Sequence, residues 1–222
     1  MATQSVTQPG VTTQVEPFSE RVLGWTRTHK QATSWISTIL IVGAILFVWT
    51  DSSTRRSEAI AGRQLQGARY AFDNGNMPLA ASELARIIEN YSSTNAAAEG
   101  RLLLAQVRLT QGQAQQAVEL LKDWASGAGA GFRAQAYGLL GAAYENQGKA
   151  RDAAEAYQNG AERARMSFLQ AQMLSDAGRA WAAAGDTTKA IAAYRRIVDD
   201  MPKEPAVTEA TVRLGELTKG TR

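Results

Sequence analysis

The side chains that carry acid, base or nucleophilic chemistry are few in this chain. It has one histidine, His29, and no cysteine, which excludes thiol catalysis, zinc–thiolate sites and disulfides. Because His29 is the only imidazole, no Ser-His-Asp arrangement can be built in the chain that follows it. Carboxylates are plentiful, but they lie at helix-surface spacing, and no pair stands out as an acid–base couple. The sequence therefore predicts a protein that is not an enzyme and that holds no metal or cofactor.

The charge balance indicates which other ligands the chain does not bind. Lys and Arg number 24 and Asp and Glu number 21, so the net charge is +3, and the basic residues alternate with acidic ones. A nucleic-acid interface needs a clustered basic stripe, and none is present. The glycine-rich run GAGAG at 127–131 lacks the spacing of a phosphate-binding loop and follows a helical pattern, which indicates a flexible turn. We therefore predict no nucleic acid and no small-molecule substrate.

An apolar segment dominates the first quarter of the chain. Residues 35–49 read WISTILIVGAILFVW, and with the neighbours on both sides they provide about 18–20 uncharged residues, enough to cross a bilayer. Tryptophan at each end suits the two membrane interfaces. The sequence predicts a transmembrane helix at 32–50. A buried core helix and a cleaved signal peptide are the alternatives, although no Ala-x-Ala stands directly after Trp49.

The tail before this segment has no hydrophobic period. Its first half is rich in Thr, Gln, Ser and Val, so we predict that residues 1–31 are disordered. Basic residues are nearly balanced on the two sides of 32–50, so charge alone does not decide the orientation in the membrane.

An internal repeat organises the remainder of the chain. Its markers are four glycines spaced 37, 36 and 37 residues apart, each followed five residues later by alanine and nine residues later by a large apolar residue. Glycine supplies the turn between two helices, alanine lets the helices approach, and the large residue fills the groove between them. The markers are Gly75, Ala80 and Leu84; Gly112, Ala117 and Leu121; Gly148, Ala153 and Tyr157; Gly185, Ala190 and Tyr194.

This register resembles the tetratricopeptide repeat family. The third unit reads AQAYGLLGAAYENQGKARDAAEAYQNGAERAR, and its matching residues are Tyr137, Leu140, Gly141, Tyr144, Ala153, Tyr157 and Gly160. The resemblance implies an all-α solenoid of helical hairpins, with about four repeats and a C-terminal capping helix. We expect the repeat domain at 51–222, with repeats at approximately 61–97, 98–133, 134–170 and 171–207 and a cap at 208–219.

The concave face of such a solenoid is lined by the first helix of each repeat. The repeat register predicts that seven residues of this face bind a protein partner: Arg69, Phe72, Gln106, Leu109, Gln135, Asn146 and Arg179. Some tetratricopeptide domains hold a C-terminal carboxylate with Lys and Asn on this face, whereas Leu65, Leu103 and Leu139 are among the residues at those positions here. We therefore expect no carboxylate clamp. For each apolar residue the alternative, a place in the core between helices, stays open.

The first part of the chain, roughly 20–125, also resembles the YfgM-type ancillary subunit of the SecYEG translocon. The resemblance rests on the aromatic end of the apolar segment at Trp49 and on a stretch with the residues Tyr91, Thr94, Ala98, Leu102, Leu104, Ala105, Ala117 and Leu121. It implies a bacterial inner-membrane protein that contacts lipid through 32–50, with its N-terminus in the cytoplasm and its repeats in the periplasm.

Two functions are compatible with this architecture. The resemblance implies a non-catalytic adaptor at the secretion translocon, with translocon subunits, periplasmic chaperones or envelope proteins as partners. The alternative is a structural or assembly subunit of another membrane complex, held by the apolar segment and docked through the repeats.

Overall fold

The computed structural model describes residues 30–219. Between residues 30 and 52, side chains are described only at Trp35, Thr38, Ile39, Ile41, Val42 and Gly43. The predicted disordered tail, apart from its last two residues, therefore lies outside the described residues. The described backbone consists of ten α-helices joined by turns, with no strand among residues 30–219.

The ten helices follow in order along the chain. They are α1 (Lys30–Asp73), α2 (Met77–Asn90), α3 (Asn95–Thr110), α4 (Ala114–Leu121), α5 (Trp124–Gly127), α6 (Arg133–Asn146), α7 (Ala150–Arg163), α8 (Ser167–Ala183), α9 (Thr187–Asp200) and α10 (Ala206–Thr218). The chain divides into two units, one ending at Ser53 and one beginning at Thr54.

The backbone of the predicted transmembrane segment, 32–50, lies in α1, whereas most of its side chains lie outside the described residues. Within the described part of the chain, no helix combines the length and the apolar character that crossing a bilayer requires. The span at 32–50 stays a prediction.

From Thr54 onward the helices form antiparallel hairpins, which confirms the predicted all-α solenoid. The end of α1 pairs with α2, α3 with α4, α6 with α7 and α8 with α9, and α10 packs on the last pair. Between α4 and α6, the second repeat contains the short helix α5 and a turn, where the Arg133 side chain donates hydrogen bonds to the Ala128 carbonyl at 2.9 and 3.1 Å.

All four hairpin turns have the same backbone geometry. The predicted turn glycines have positive φ angles: Gly75 at 74°, Gly112 at 72°, Gly148 at 71° and Gly185 at 80°. In each turn, the N–H after the glycine donates to a carbonyl five residues earlier, as Lys149 does to Tyr144 at 2.9 Å. This bond satisfies a carbonyl at the helix end that would otherwise lack a partner.

Inside each hairpin, a small residue on the first helix faces a large residue sixteen positions later on the second. A Cβ atom placed on Gly141 would lie 2.7 Å from the Tyr157 ring, and one placed on Gly178 would lie 2.7 Å from the Tyr194 ring. The first two hairpins have alanine and leucine at the same spacing, namely Ala68 with Leu84 and Ala105 with Leu121, all 0% exposed. Glycine is thus matched with tyrosine and alanine with leucine, so each hairpin fills its core.

This matching predicts a coupling between the two residues of one hairpin. Gly178→Ala should destabilise the protein by about 1–3 kcal/mol because the added methyl group overlaps the Tyr194 ring. Tyr194→Leu makes room for that methyl group. The double variant should therefore be more stable than the sum of the single effects predicts, with a coupling of about 0.5–3 kcal/mol. Chemical denaturation followed by helical circular dichroism measures all three values.

The matched control is the double variant Gly178→Ala, Leu84→Val. Leu84 lies in a different hairpin, so the two effects on the free energy of unfolding should be additive. Additivity within the Gly178/Tyr194 cycle as well would show that the two residues do not constrain each other.

Candidate functional site

A groove of about 480 Å³ crosses the first helices of the hairpins. It is formed by one residue of α1, four residues each of α3, α6 and α8, and one of α7. These residues are Arg69; Glu99, Leu102, Leu103 and Gln106; Gln135, Gly138, Leu139 and Ala142; Leu169, Gln172, Met173 and Asp176; and Tyr157. We refer to this set as the groove.

The floor of the groove is apolar. Leucines from α3, α6 and α8 and Met173 form the floor: Leu102, Leu103, Leu139 and Leu169. Gly138 and Ala142 lie one helical turn apart between them. Apart from the glycine's immediate surroundings in α6, a Cβ atom on Gly138 would have one neighbour within 4 Å, the Met173 Cε at 3.0 Å. The flexible end of the Met173 side chain therefore packs against α6 at Gly138.

Three exposed glutamines, Gln106, Gln135 and Gln172, contribute amides to the groove. Gln135 and Gln172 occupy equivalent positions, six residues before Gly141 and Gly178. Among residues 30–219, none of these three side-chain amides has a hydrogen-bond partner within the protein. Each amide can both donate and accept a hydrogen bond, so together they provide unused capacity for polar contacts.

The charged residues of the groove take part in ion pairs within the chain. The Arg69 guanidinium contacts the Glu99 carboxylate at one end. At the other end, Asp176 Oδ1 accepts a hydrogen bond from Arg179 Nη2 at 2.9 Å. The groove therefore combines an apolar floor, free amides and paired charges.

Comparison with protein families shows which family the chain belongs to. A family model described as a tetratricopeptide repeat-like domain matches residues 53–175, which is more than half of the chain. The chain belongs to this tetratricopeptide repeat-like family. A second model, described as a tetratricopeptide repeat, matches residues 174–203. No relative among curated proteins matches the chain.

Solved tetratricopeptide-type structures share the fold at low sequence identity. TPR-like repeats from a Podosopora anserina protein, described as resembling a kinesin light chain, superpose with a TM-score of 0.56 at 21% identity, over 71% of this chain and 85% of that one. The MamA protein superposes with a TM-score of 0.56 at 20% identity, over 74% of this chain and 82% of that one. A tetratricopeptide repeat protein from Parabacteroides merdae superposes with a TM-score of 0.58 at 13% identity, over 72% of this chain and 60% of that one. These likenesses support the fold alone.

The structure places the seven predicted partner-binding residues in three different environments. Arg69, Gln106 and Gln135 line the groove, and Arg179 adjoins it through its pair with Asp176. Two of the others, Phe72 and Leu109, are partly buried against core clusters instead of lining the groove. The last, Asn146, is exposed and lies outside the groove lining.

Several residues of the groove were not among those seven. They include Glu99, Gly138, Ala142, Leu169 and Met173. The repeat register contains a signal for two of them, since Glu99 is equivalent to Gln135, and Ala142 is equivalent to Gln106. Leu169 and Met173 reach the groove through the packing of α8 beside α6 and α7, which the register of a single repeat does not describe.

A polar network joins the third and fourth tetratricopeptide repeats beside the groove. The Tyr157 hydroxyl donates to Glu145 Oε2 at 2.8 Å, and Arg179 Nη1 donates to Glu145 Oε1 at 2.5 Å. The bonds to Glu145 and Asp176 raise the pKa of Arg179. Burial raises the pKa of Asp176, although its bond to Arg179 acts in the opposite direction. Because the four residues belong to α6, α7 and α8, the network fixes the relative positions of these helices at the groove wall.

Tyr157 is the residue of this network whose titration we expect to affect stability. Burial, followed by the hydrogen bond to Glu145, raises its pKa well above the usual value of about 10. The folded state therefore favours the protonated phenol. Its contribution to stability is complete below pH about 10 and is lost as the pH rises towards the folded-state pKa.

We expect the unfolding free energy to fall above pH about 10, and to fall less steeply in Tyr157→Phe. The measurement is chemical denaturation over an alkaline pH series, with tyrosinate absorbance recorded in parallel. Tyr70→Phe is the control, since Tyr70 is 74% exposed. Identical slopes for the wild type and Tyr157→Phe would contradict the assignment.

Within the described residues, no group of three or more His, Asp or Glu side chains is placed to hold a metal ion.

Proposed function

We propose that this tetratricopeptide repeat protein is a non-catalytic interaction scaffold that binds a polypeptide partner in the groove. The proposal rests on one observation: apolar side chains from α3, α6 and α8 converge on an open surface that also has unpaired amides. Apolar floors with a polar rim are typical of protein-binding surfaces. The family supports protein partners in general, because tetratricopeptide repeats serve mainly as protein-interaction domains.

The groove is also suitable for binding because of its rigid support. The helices that line it belong to hairpins whose inner sides are filled by matched residues such as Gly141 and Tyr157. The network around Glu145 links the two repeats at one end of the groove. A surface that is ordered before the partner arrives loses less conformational entropy on binding.

We further propose that residues 32–50 anchor the protein in a bacterial inner membrane, with the N-terminus in the cytoplasm and the repeats in the periplasm. The uncharged composition of this segment and the YfgM-type resemblance support the proposal. In that setting the partners are translocon subunits, periplasmic chaperones or envelope proteins in transit.

A second candidate function is that of a structural or assembly subunit of another membrane complex. Two exposed apolar side chains at the α7–α8 junction, Met166 and Phe168, favour it, because 52% and 53% of their surfaces are accessible. A permanent interface would use such residues outside the groove, whereas a transient partner would use the groove itself.

Photo-crosslinking distinguishes these two modes of binding. A photoreactive residue at Gln106 should crosslink to a polypeptide partner in intact membranes, and the same residue at Arg195, exposed on α9, should not. The yield at Gln106 should fall when Gly138→Leu adds a bulky side chain to the floor of the groove. Crosslinking at Phe168 to a single stoichiometric partner, with none at Gln106, would favour the structural subunit and contradict the groove.

The proposed topology has its own test. In spheroplasts, added protease should digest the repeat unit after Asp51, while an epitope at the N-terminus is protected. A periplasmic and a cytoplasmic marker protein control for the integrity of the membrane. Protection of the repeats in spheroplasts, with digestion in inverted vesicles, would reverse the orientation, and recovery of the protein without membranes would contradict the anchor.

A further inference from the structure

We infer that the second helices of the third and fourth repeats form another docking surface, which binds a helix of a partner protein with basic residues on one flank and acidic residues on the other. This surface is a cleft of about 470 Å³ between α7 and α9, with α8 as its floor. We refer to it as the outer cleft. It is separate from the groove, so the inference goes beyond the proposed function and does not depend on it.

One wall of the outer cleft is acidic. Its residues on α7 are Glu155, Gln158, Asn159 and Glu162, which form a single stripe along two helical turns. Both glutamates are exposed. Among residues 30–219, Glu155 forms no ion pair, and the ion pair of Glu162 is with the next residue of its own helix, Arg163, at 3.6 Å. The α7 wall therefore presents two negative charges about 10 Å apart along the helix.

The opposite wall is basic. α9 contributes Lys189, Ala192, Ala193 and Arg196, which repeat the spacing of the α7 stripe. Lys189 lies 3.6 Å from Asp186 at the start of its own helix, and Arg196 forms no ion pair in the described part of the chain. Because the two residues between the charges are alanines, their side chains allow the backbone of a partner to approach closely.

The floor joins the two walls and separates the outer cleft from the groove. It consists of Leu174, Ala177 and Trp181, and no more than 2% of each residue is exposed. The Lys189 ammonium lies 4.0 Å from the centre of the Trp181 ring, and Trp181 Nε1 donates to Gln158 Oε1 at 3.3 Å. On α8, the floor residues lie about 120° around the helix axis from those that line the groove, so the two surfaces are distinct.

The shape of the walls favours a helix as the occupant. A helix laid along the cleft repeats its side chains every three, four and seven positions, which matches the stripes on both walls. An extended peptide would instead bring free N–H and C=O groups against the two alanines of α9, which offer no hydrogen bond. Since the floor has little exposed surface, the residues of the helix that face it should be small, and selectivity should come from its flanks.

The walls determine the charges of that helix. The flank towards α7 faces Glu155 and Glu162 and requires lysine or arginine, whereas the flank towards α9 faces Lys189 and Arg196 and requires aspartate or glutamate. A helix with like charges on both flanks would be repelled by one wall. Each exposed pair contributes little alone, so the selection depends on all four charges together and weakens as salt is added.

Three designed alanine-rich helical peptides test the inference on the purified full-length protein. The mixed peptide has lysines on one flank and glutamates on the other, seven residues apart, and the other two have lysines or glutamates on both flanks. Circular dichroism checks that the three are equally helical. In fluorescence anisotropy, the mixed peptide should bind on the order of tenfold more tightly than either control, and this preference should shrink between about 0.05 and 0.5 M salt.

Reversing the charges of one wall should change the preference, an outcome that a folding defect cannot imitate. In Lys189→Glu/Arg196→Glu both walls are acidic, so the lysine-only peptide should become the tightest ligand. In Glu155→Lys/Glu162→Lys it should be the glutamate-only peptide. Arg195→Glu is the matched control, because Arg195 is exposed on α9 but does not line the cleft, and the mixed peptide should remain preferred.

Equal affinities for the three peptides, or a preference that both reversals leave unchanged, would overturn the inference. Sedimentation velocity tests a different occupant. Self-association that either reversal abolishes, and that a mixture of the two reversed variants restores, would show that a second copy of this chain fills the cleft and would also overturn the inference. Crosslinking at Gln106 in the groove tests the proposed function separately, so a failure of one is distinguishable from a failure of the other.

Discussion

The contact between a small residue on the first helix of a hairpin and a large residue on the second is the constraint on which the repeat unit depends. It recurs four times at a spacing of sixteen residues, as in Ala68 with Leu84 and Gly178 with Tyr194. The contact sets how closely the two helices approach and which face of the first helix turns inward. The positive-φ glycine between the helices makes the reversal possible, but the pair determines the packing.

The groove is a consequence of this constraint. Once one face of each first helix is committed to its own hairpin, the opposite face is left to line the inner surface of the array. Residues at fixed distances from the small residue then form rows across successive repeats, such as Glu99, Gln135 and Gln172. The chemistry of the groove therefore depends on which residue each repeat contributes to each row: leucines form the floor, amides lie in another row, and ion-paired charges lie at the two ends.

Much of this architecture could be predicted from the sequence because the constraint is local. The four turn glycines and the two buried tyrosines, Tyr157 and Tyr194, follow from spacing alone, and the structure confirms them. The groove was less accessible to prediction. A glycine in a helix, such as Gly138, gives no sign in the sequence that it faces an open surface, and Met173 reaches the groove only through the packing of α8. Phe72 and Leu109 illustrate the opposite difficulty, since an apolar residue near the inner face suits the core equally well.

The matched pairs also determine how an array of this kind can change in length. A genetic crossover inside a hairpin would join the first helix of an early repeat to the second helix of a late one. Alanine would then face tyrosine and collide with the ring, and the reciprocal product would set glycine against leucine and leave a void. A crossover between hairpins keeps every pair intact. Between the first two hairpins and the last two, the hairpin and not the single helix is thus the smallest segment that can be exchanged without loss of the core.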